Sequence, residues 1–533
     1  MNHHETSCDV LIMGGGLSGL TLAIQLKQNL GNLRIVVVEK AQFPVPEAAH
    51  KVGESSVEIG SGYFQDRLGL KPLLENELPK LGLRFFYTHA GNHDLASRVE
   101  LGPSDFLFVK SYQIDRGRFE NALVQKCLEL GVEFREGARV TEMELGECDH
   151  RITVRCGNAD QRFRTQWLVD ASGRRSLLKQ KLGLAKPTQH DANAAWFRIG
   201  REINIDDWAS DPDWRGRNQH TRRISTNHLM GKGYWVWLIP LASGSTSIGI
   251  VADAKLHPYS TINTFAKAQA WLRQYEPQCA RVVEDHLEDF QDFLALKHYS
   301  HSSRQIYSEN GWCLTGDAGL FLDPLYSPGS DFIGMSNTCI TDLITRHFSG
   351  EAVATRVREY ERIIRTIFQG FLLIYENQYP VMGSAKAMSF KIVWDFVMYW
   401  GGIALIFFAG KLCDLEFMQA ARVHLNQFFV LNLQMQQRLL EWSEQEGDRE
   451  AQTGGFLDYS KLEFLRNLNK DLLRKKTESE LLEQLSLNAT LAQEIHAEML
   501  WLLQQDQPDL MDAQTLHPPQ TTHVQPFFAP LFP

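Results

Sequence analysis

Three glycines near the N-terminus have the spacing of a phosphate-binding turn. Gly14, Gly16 and Gly19 follow the apolar residues Val-Leu-Ile-Met of a strand-like segment. In such a turn the first glycine permits a tight bend, the second removes a side chain where phosphate approaches the backbone, and the third lets helix and strand pack closely. The amides of Leu17 and Ser18 open the following helix, whose N-terminus attracts anions. The spacing therefore predicts a dinucleotide site.

A carboxylate follows this turn at the distance that a ribose contact requires. Glu39 closes the second apolar segment, Arg34–Glu39, about 20 residues beyond the glycines. Ordinary tight strand-to-helix turns also contain glycines, so the glycine motif alone is weak evidence. Its position between two apolar strands, with the acid at the right distance, favours the dinucleotide interpretation.

Three further motifs place polar groups at predicted strand ends or before helices. They are Gln113–Arg116, Asp170–Gly173 and Gly316–Gly319. The carboxylate of Asp317 can accept from a ribityl or ribose hydroxyl, whereas Arg116 carries a permanent charge and forked donors suited to phosphate or a carbonyl. Any one of these motifs could be a structural turn, but all of them in this order indicate one large cofactor.

Together the motifs resemble the glutathione-reductase-type FAD fold of single-component hydroxylases and flavin-dependent halogenases, over about residues 5–345. The resemblance implies FAD, rather than a free nicotinamide, as the cofactor. It also implies an α/β fold with an FAD-binding, Rossmann-like parallel sheet.

Local features are similar to flavin-dependent halogenases, the tryptophan halogenases among them. Trp235 and Trp237 stand in a segment similar to the Trp-x-Trp-x-Ile-Pro signature of that family. Lys80 follows the Gly-Glu-Ser of Val52–Ser56 much as the halogenase lysine follows its own. The segment Phe321–Gly329 keeps the Phe, Pro, Ser and Gly of the flavin-side loop at the family's spacing.

The resemblance implies a chemistry for these residues. Reduced FAD, O2 and chloride or bromide would give hypohalous acid, which travels through a tunnel to Lys80 and then halogenates an electron-rich aromatic carbon. Trp235 and Trp237 would separate the organic substrate from the flavin. Ordinary alternatives stay open: a solvated loop lysine, and two tryptophans on one face of a β-core.

The flavin-side loop is the implied halide site. The resemblance assigns Pro324 and Gly329 to the cofactor, and Ser327, Gly329 and Ser330 to the halide. Pro328 departs from the pattern because proline has no N–H to offer an anion.

Two other departures bear on the mechanism. Tyr326 stands where tryptophan halogenases carry a glutamate, which argues against a carboxylate-assisted mechanism on tryptophan. Phenol- and pyrrole-type members of the family also lack that acid. Asp331 adds negative charge close to the predicted halide site unless it points away or is paired.

Two alternative functions follow from these departures. The first is a flavin-dependent aromatic monooxygenase, which would hydroxylate its substrate or a side chain of a partner protein. The second is a non-catalytic flavin-fold scaffold, against which the intact glycines, Glu39 and Asp317 argue.

The sequence contains one glycine fingerprint, which favours a separate NAD(P)H-dependent flavin reductase, although single-component hydroxylases also lack a second Rossmann unit. The expected substrate is an aromatic small molecule or a carrier-tethered group.

The amino-acid composition limits the expected binding partners and the expected cellular compartment. The net charge of -10 over 533 residues argues against nucleic acid. The 8 cysteines are scattered without metal-like spacing, so we expect no metal site and a reducing, cytoplasmic environment. The N-terminus reaches a core strand too early for a signal peptide.

The apolar stretch Val397–Gly410 is interpreted as a buried helix rather than a transmembrane span, with an interfacial segment as the minority view.

These motifs require particular elements to position them. Alternating strands and helices fill the first third, and the β-rich stretch from about residue 194 to 252 predicts an antiparallel sheet on the substrate side. We expect an FAD-binding domain over 1–345, a helical C-terminal domain over 346–510 and an extended tail over 511–533. The C-terminal region is aromatic-rich, which suits either a plain core or a substrate pocket. Its helices from Leu425 to Leu503 are candidates for homodimer formation or carrier docking.

Overall fold

The computed structural model describes residues 5–47, 53–446, 454–508 and 516–532. Parts of the predicted regions lie outside the described residues: 1–4 and 48–52 of the FAD-binding domain, 447–453 and 509–510 of the helical domain, and 511–515 and 533 of the tail. The chain forms two compact units that alternate along the sequence. Unit 1 comprises Met1–Glu77, Ile114–Thr188 and Ser300–Phe368, and unit 2 comprises Leu78–Gln113, Gln189–Tyr299 and Gln369–Pro533. The serial division at residues 345 and 510 stays a prediction.

Unit 1 is built on an 8-stranded sheet with a parallel centre. Ile35–Val38, a run of four buried β-branched residues, lies parallel to Glu5–Met13, as expected of a strand covered on both faces. The strands of this sheet, in spatial order, are Tyr307–Ser308, Trp312–Leu314, Ala159–Asp170, Glu5–Met13, Ile35–Val38 and Glu133–Arg135. His150–Cys156 pairs antiparallel with Ala159–Asp170, and Ala138–Glu144 pairs antiparallel with His150–Cys156.

Two helices of unit 1, Leu17–Asn29 and Leu177–Lys181, follow the parallel strands Glu5–Met13 and Ala159–Asp170. A small two-stranded sheet pairs Ala185–Pro187 with His301–Ser303. The helices are Leu17–Asn29, Glu58–Gly62, Lys71–Leu74, Arg116–Glu129, Leu177–Lys181 and Gly329–Phe348, with a π-helical turn at Tyr63–Arg67; a further helix, Ala354–Tyr375, runs from unit 1 into unit 2. The parallel, Rossmann-like half of the predicted fold is thereby confirmed.

Unit 2 contains the predicted antiparallel strands within a mixed 8-stranded sheet, in which Thr226–Gly231 lies parallel to Leu83–Tyr87 and Glu100–Gly102 lies parallel to Phe456–Asp458. Its strands, in spatial order, are Phe290–Leu296, Ala192–Ile199, Thr246–Asp253, Tyr234–Pro240, Thr226–Gly231, Leu83–Tyr87, Glu100–Gly102 and Phe456–Asp458. A separate pair joins Leu78–Lys80 to Ser111–Gln113.

Helices fill the C-terminal part of unit 2, as predicted. The helices of unit 2 are Pro212–Gly216, Phe265–Tyr275, Pro277–Glu284, Ala385–Met398, Leu405–Phe408, Leu415–Glu446, Glu463–Asp471, Glu478–Asp506 and Gln525–Phe528, with a π-helical turn at Tyr399–Ala404. The tail differs from the extended segment expected, because a short helix forms at Gln525–Phe528 and Phe528 stacks on Phe390 with ring centroids 3.9 Å apart.

The apolar C-terminal stretch is longer than its sequence pattern indicated. The helical segment Ala385–Phe408 has 24 residues and is the one described helix long and apolar enough to cross a membrane, yet 78% of its apolar window is buried inside the protein. Lys391 and Asp395 form a buried ion pair at 3.1 Å, and Gln436 bonds to both. Paired charges within a covered helix are typical of a protein core.

Candidate active site

The predicted glycine turn has little room for side chains except at one position. Gly14 has φ +117°, and a Cβ there would lie 2.2 Å from the carbonyl oxygen of Ala171. A Cβ on Gly19 would lie 2.1 Å from the carbonyl oxygen of Gly14. Gly16 instead faces open space, since a Cβ added there would meet nothing within 4 Å. The turn therefore offers backbone, without side chains, at the one position where a phosphate is expected.

Glu39 braces this turn. One carboxylate oxygen accepts from the amide of Gly15 at 2.7 Å and the other from the amide of Ala41 at 2.8 Å. The side chain is half-buried, and each carboxylate oxygen can accept a second hydrogen bond. Glu39 thus holds the loop and keeps acceptor capacity for a ribose hydroxyl.

Glu120 is a functional candidate that the motif analysis missed. Its fully buried carboxylate accepts from the Leu17 amide at 3.2 Å and from Arg116 Nη2 at 2.6 Å. The sequence did carry one signal for Glu120: it follows Arg116 by four residues on one helix, a spacing at which two side chains contact each other. The Leu17 amide has a protein partner here, so a phosphate contact to that amide requires the bond to open.

Asp317 lies in the turn Gly316–Ala318 among several cations. Burial raises the pKa of the Asp317 carboxyl, while the charges of Arg116, Arg174 and Lys179 oppose that rise. Sequence reasoning identified only the first of these cations.

A buried amide ties the Asp317 turn to the first helix. Asn337 Nδ2 donates to the Ser18 carbonyl at 3.0 Å, and Asn337 Oδ1 accepts from Thr315 Oγ1 at 2.7 Å. A Cβ on Gly316 would lie 2.8 Å from Ser18 Oγ. Unit 1 therefore brings Ser18 and the Asp317 turn together, as the motif order predicted.

The predicted halide loop has an unusual backbone. Tyr326 and Ser327 have φ of +68° and +60°, which non-glycine residues adopt rarely and which costs of order 1–3 kcal/mol each. The Ser327 amide donates to the Pro324 carbonyl at 2.9 Å, closing the turn. Such strain in a loop is typical of binding sites.

The halide loop leads into the N-terminus of a 20-residue helix, Gly329–Phe348. Pro328 is its N-cap, so the missing N–H falls at the cap position, and the amides of Gly329 and Ser330 start the helix. A Cβ on Gly329 would meet nothing within 4 Å. Ser330 is 8% exposed, and its hydroxyl has no hydrogen-bond partner among the described residues.

Lys80 is buried, with 3% of its surface exposed, at the end of the strand Leu78–Lys80. A solvated loop lysine is therefore the wrong interpretation for this residue. Its charge is felt by His228: burial, and secondarily the Lys80 ammonium, lower the pKa of His228 to about 3. His228 stacks on Phe85 at 4.6 Å, and its ring lies 5.5 Å from the Trp235 ring. The imidazole that packs against the tryptophan therefore also responds to the charge of the lysine.

The two tryptophans lie side by side on one face of the antiparallel sheet. Their ring centroids are 5.7 Å apart. Trp235 Nε1 donates to Tyr379 Oη at 3.2 Å, and Trp237 Nε1 donates to Ser247 Oγ at 3.2 Å. Trp237 covers Gly249, where a Cβ would lie 2.1 Å from the indole ring. Both rings are thus fixed by packing and by their N–H groups.

The unit boundary divides the predicted residues into two sets. Unit 1 holds the glycine turn, Glu39, Arg116, Asp317 and the halide loop, and unit 2 holds Lys80 with both tryptophans. Among the described residues, no group of three or more His, Cys, Asp or Glu side chains could hold a metal ion.

Comparison with known proteins identifies relatives of one kind. The family model described as tryptophan halogenase matches residues 9–95 and 99–379. The flavin-dependent halogenase chlA of Dictyostelium discoideum is 26% identical over 457 residues, covering 78% of this chain and 72% of that protein. A 1H-pyrrole-2-carbonyl-[peptidyl-carrier protein] brominase of Pseudoalteromonas luteoviolacea is 27% identical, covering 64% of this chain and 79% of that protein.

Solved structures share the fold. Halogenase PltM, in complex with phloroglucinol and FAD, is similar with a TM-score of 0.66 at 19% identity, covering 90% of this chain and 96% of that chain. The flavin-dependent brominase Bmp2 is similar with a TM-score of 0.57 at 21% identity, covering 70% of this chain and 87% of that chain.

Proposed function

Because this chain belongs to the tryptophan halogenase family of flavin-dependent enzymes, we propose that it halogenates an electron-rich aromatic substrate through an oxidised halogen relayed to Lys80. Membership makes it a flavin-dependent oxidoreductase that uses FAD. The burial of Lys80, in the same unit as Trp235 and Trp237, is the observation that carries the proposal.

FAD would be held by the residues of unit 1 described above. The open backbone at Gly16, the bracing of the loop by Glu39, and the cations around Asp317 fit a group with a pyrophosphate and many hydroxyls. Bound and reduced, FAD supplies the oxygen activation that converts chloride or bromide to hypohalous acid.

A halide would lie at the start of the helix Gly329–Phe348. The helix N-terminus supplies partial positive charge, and the Ser330 hydroxyl supplies a donor that has no partner among the described residues. Since Gly329 and Ser330 both have amides, the site does not need an N–H from Pro328.

Lys80 would act on the hypohalous acid in one of two ways. Its ammonium can donate a hydrogen bond to the oxygen and polarise the halogen. Alternatively its neutral amine can form a nitrogen–halogen bond, with the amine proton leaving with the hydroxide as water. In either case the aromatic carbon attacks the halogen and then loses its proton.

Trp235 and Trp237 would keep the organic substrate away from the flavin. Their rings are held by Tyr379, Ser247 and Gly249, which suits a fixed wall better than a moving lid. Such a wall favours oxidation of a small halide over direct hydroxylation of the substrate.

Membership in the family also suggests which partners this protein needs. We expect an NAD(P)H-dependent flavin reductase, and an aromatic substrate either free or on a carrier, as the name of the Pseudoalteromonas relative states for that protein. All eight cysteines are free thiols, which supports a reducing cytoplasm. A homodimer through the helices between Leu425 and Leu503 belongs to the same set of proposals.

The test combines a halide assay with two lysine variants. Purified protein, a flavin reductase, NADH, FAD and phenolic, indolic or pyrrolic probes are incubated with bromide, and products are read by mass spectrometry. A bromine isotope doublet is expected from the wild type and is absent from Lys80→Met, which should still bind FAD. Lys110→Met is the matched control, because this exposed lysine precedes the strand that pairs with Leu78–Lys80.

Two outcomes would contradict the proposal. Addition of a single oxygen instead of bromine would assign the protein as a monooxygenase. Bromination that survives in Lys80→Met would remove Lys80 from the reaction.

A further inference from the structure

Lys179 is a buried cation that the proposed reaction does not use. It is 3% exposed and lies in the short helix Leu177–Lys181. Its ammonium donates to the Gly319 carbonyl at 2.6 Å and to His301 Nδ1 at 3.1 Å, and lies 3.4 Å from the Ser302 carbonyl. The ammonium therefore joins the backbone next to the Asp317 turn to a neighbouring strand.

His301 is the neutral partner of this cation. An ammonium only donates, so His301 Nδ1 must carry a lone pair. Burial, followed by the Lys179 charge, lowers the pKa of His301 to about 4. The backbone N–H and carbonyl of His301 also exchange hydrogen bonds with Phe321, at 3.0 and 2.9 Å. The Lys179–His301 pair thus connects the Asp317 turn, through Gly319, to the halide loop, through Phe321.

The charges that balance Lys179 are carboxylates of the predicted flavin site. Asp170 and Asp317 both raise the pKa of Lys179, but burial outweighs them and the net pKa falls to about 8. Asp170 is already engaged by the amides of Ser172 and Leu178. Arg116, Arg174 and Lys179 are the opposing charges around Asp317, and Lys179 is the amine among them, whereas the other two are guanidinium groups.

We propose that Lys179 is a positioning residue for FAD: its ammonium holds the Gly319 backbone against His301 and neutralises Asp317, so that the anionic cofactor meets a less negative site. The inference rests on FAD binding, which family membership gives, and not on the halogenation proposed above.

This role predicts a pH dependence of FAD affinity. Lys179 is charged below about pH 8 and loses its proton above it, leaving Asp317 less compensated. Among the other groups facing this cluster, Arg116 and Arg174 are guanidinium groups, and the pKa of His301, lowered to about 4, leaves its ring neutral in that range. Burial raises the pKa of both carboxyls, Asp170 and Asp317, and the Lys179 charge opposes that rise in each. FAD affinity should therefore fall as the pH rises through about 8.

The experiment measures the dissociation constant of oxidised FAD by fluorescence titration of the apoprotein from about pH 6.5 to 9.5, without halide or substrate. Lys179→Met should bind FAD about tenfold more weakly than the wild type at pH 7, with a flat profile. Lys179→Arg keeps the charge and should hold its affinity across the range. Lys181→Met, which removes an exposed lysine two residues away, should reproduce the wild-type profile.

The comparison of the wild type with Lys179→Arg keeps the test decisive even if the Met variant folds poorly. A wild-type affinity that does not change through pH 8, or an Arg variant that falls in parallel with the wild type, would overturn the inference. Because the readout is FAD binding alone, either result leaves the halogenation proposal untouched.

Discussion

Asp331 Oδ1 accepts a hydrogen bond from the Gly60 amide at 2.7 Å. The carboxylate is 1% exposed and points toward the helix Glu58–Gly62, where a Cβ on Gly60 would lie 2.2 Å from Ser330 Oγ. The acid that the sequence placed beside the halide loop is therefore engaged by a backbone donor. This carboxylate oxygen is directed at the protein backbone.

Replacing Asp331 by Asn removes the negative charge of this side chain and keeps its hydrogen bond. The Asn oxygen can still accept from the Gly60 amide, while the negative charge is lost. The KM for bromide should fall about two- to fivefold, because a nearby like charge no longer opposes the anion. Initial rates at varied bromide test this expectation, and an unchanged or higher KM would show that Asp331 does not act on the halide.

Ser330→Ala should weaken halide binding without weakening the fold. The Ser330 hydroxyl has no partner among the described residues, so its removal leaves no protein donor or acceptor unpaired. The bromide KM should rise about tenfold, a loss of about 1.4 kcal/mol that matches one hydrogen bond to an ion.

The matched control for Ser330 lies two turns along the same helix. Ser336 Oγ lies 3.1 Å from Tyr307 Oη, so Ser336→Ala should lower the stability by about 1 kcal/mol and leave the bromide KM alone. Equal KM effects in the two variants would place the halide elsewhere.

Trp235→Phe should weaken the wall that Trp235 and Trp237 are proposed to form between the organic substrate and the flavin. The smaller ring lacks the N–H that bonds to Tyr379 at 3.2 Å, so the side chain loses both bulk and anchoring. We expect a higher ratio of hydroxylated to halogenated product by mass spectrometry. Trp214→Phe, at another fully buried tryptophan in the core of unit 2, should lower stability only. A product ratio that does not move would leave Trp235 as plain core.

Acid should destabilise the protein partly through His496. Burial lowers the pKa of His496 to about 4 from the ordinary 6.5, and the Arg438 charge adds to this effect. The unfolded chain takes up the proton between these values while the native protein does not, so stability present above pH 6.5 is lost as the pH falls toward 4.

His496→Gln removes this linkage. The decline in unfolding free energy between pH 6.5 and 4 should become shallower by at most about 1.4 kcal/mol per pH unit, as read from urea midpoints. His424→Gln, on a half-exposed position of the helix Leu415–Glu446, is the control. Parallel slopes in wild type and His496→Gln would refute the assignment.

Glu498 should determine whether the C-terminal tail stays attached. Its fully buried carboxylate accepts from the amides of His523, Val524 and Gln525 at 2.6, 3.0 and 2.8 Å. In Glu498→Gln one oxygen becomes a donor facing donors, so limited proteolysis should cut within residues 516–532 faster. Glu494→Gln, at a 40% exposed position where the carboxylate lies 2.9 Å from His523 Nε2, should change the cleavage rate far less.

Some of the site is readable from spacing alone. The glycine turn lies between a strand and a helix, Glu39 follows the next strand, and Asp170 ends a strand, as the spacing predicted, because local backbone geometry demands those residue types. The antiparallel sheet between residues 192 and 253 follows from its β-formers in the same way.

Other members of the site have no sequence signal of that strength. Glu120 and Lys179 resemble ordinary helix residues until the fold buries them against Leu17 and Gly319. The short tail helix depends on Glu498, more than twenty residues earlier in the chain.

The sequence by itself determined the family, the cofactor and the order of strands and helices, since these depend on local spacing and apolar periodicity. Only the tertiary structure decided which charges are buried and what they contact: Lys80 is buried, Asp331 accepts from the Gly60 amide, and Lys179 donates to His301 and Gly319. Burial is a property of contacts between distant segments, and the cost of removing a charge from water makes those contacts specific.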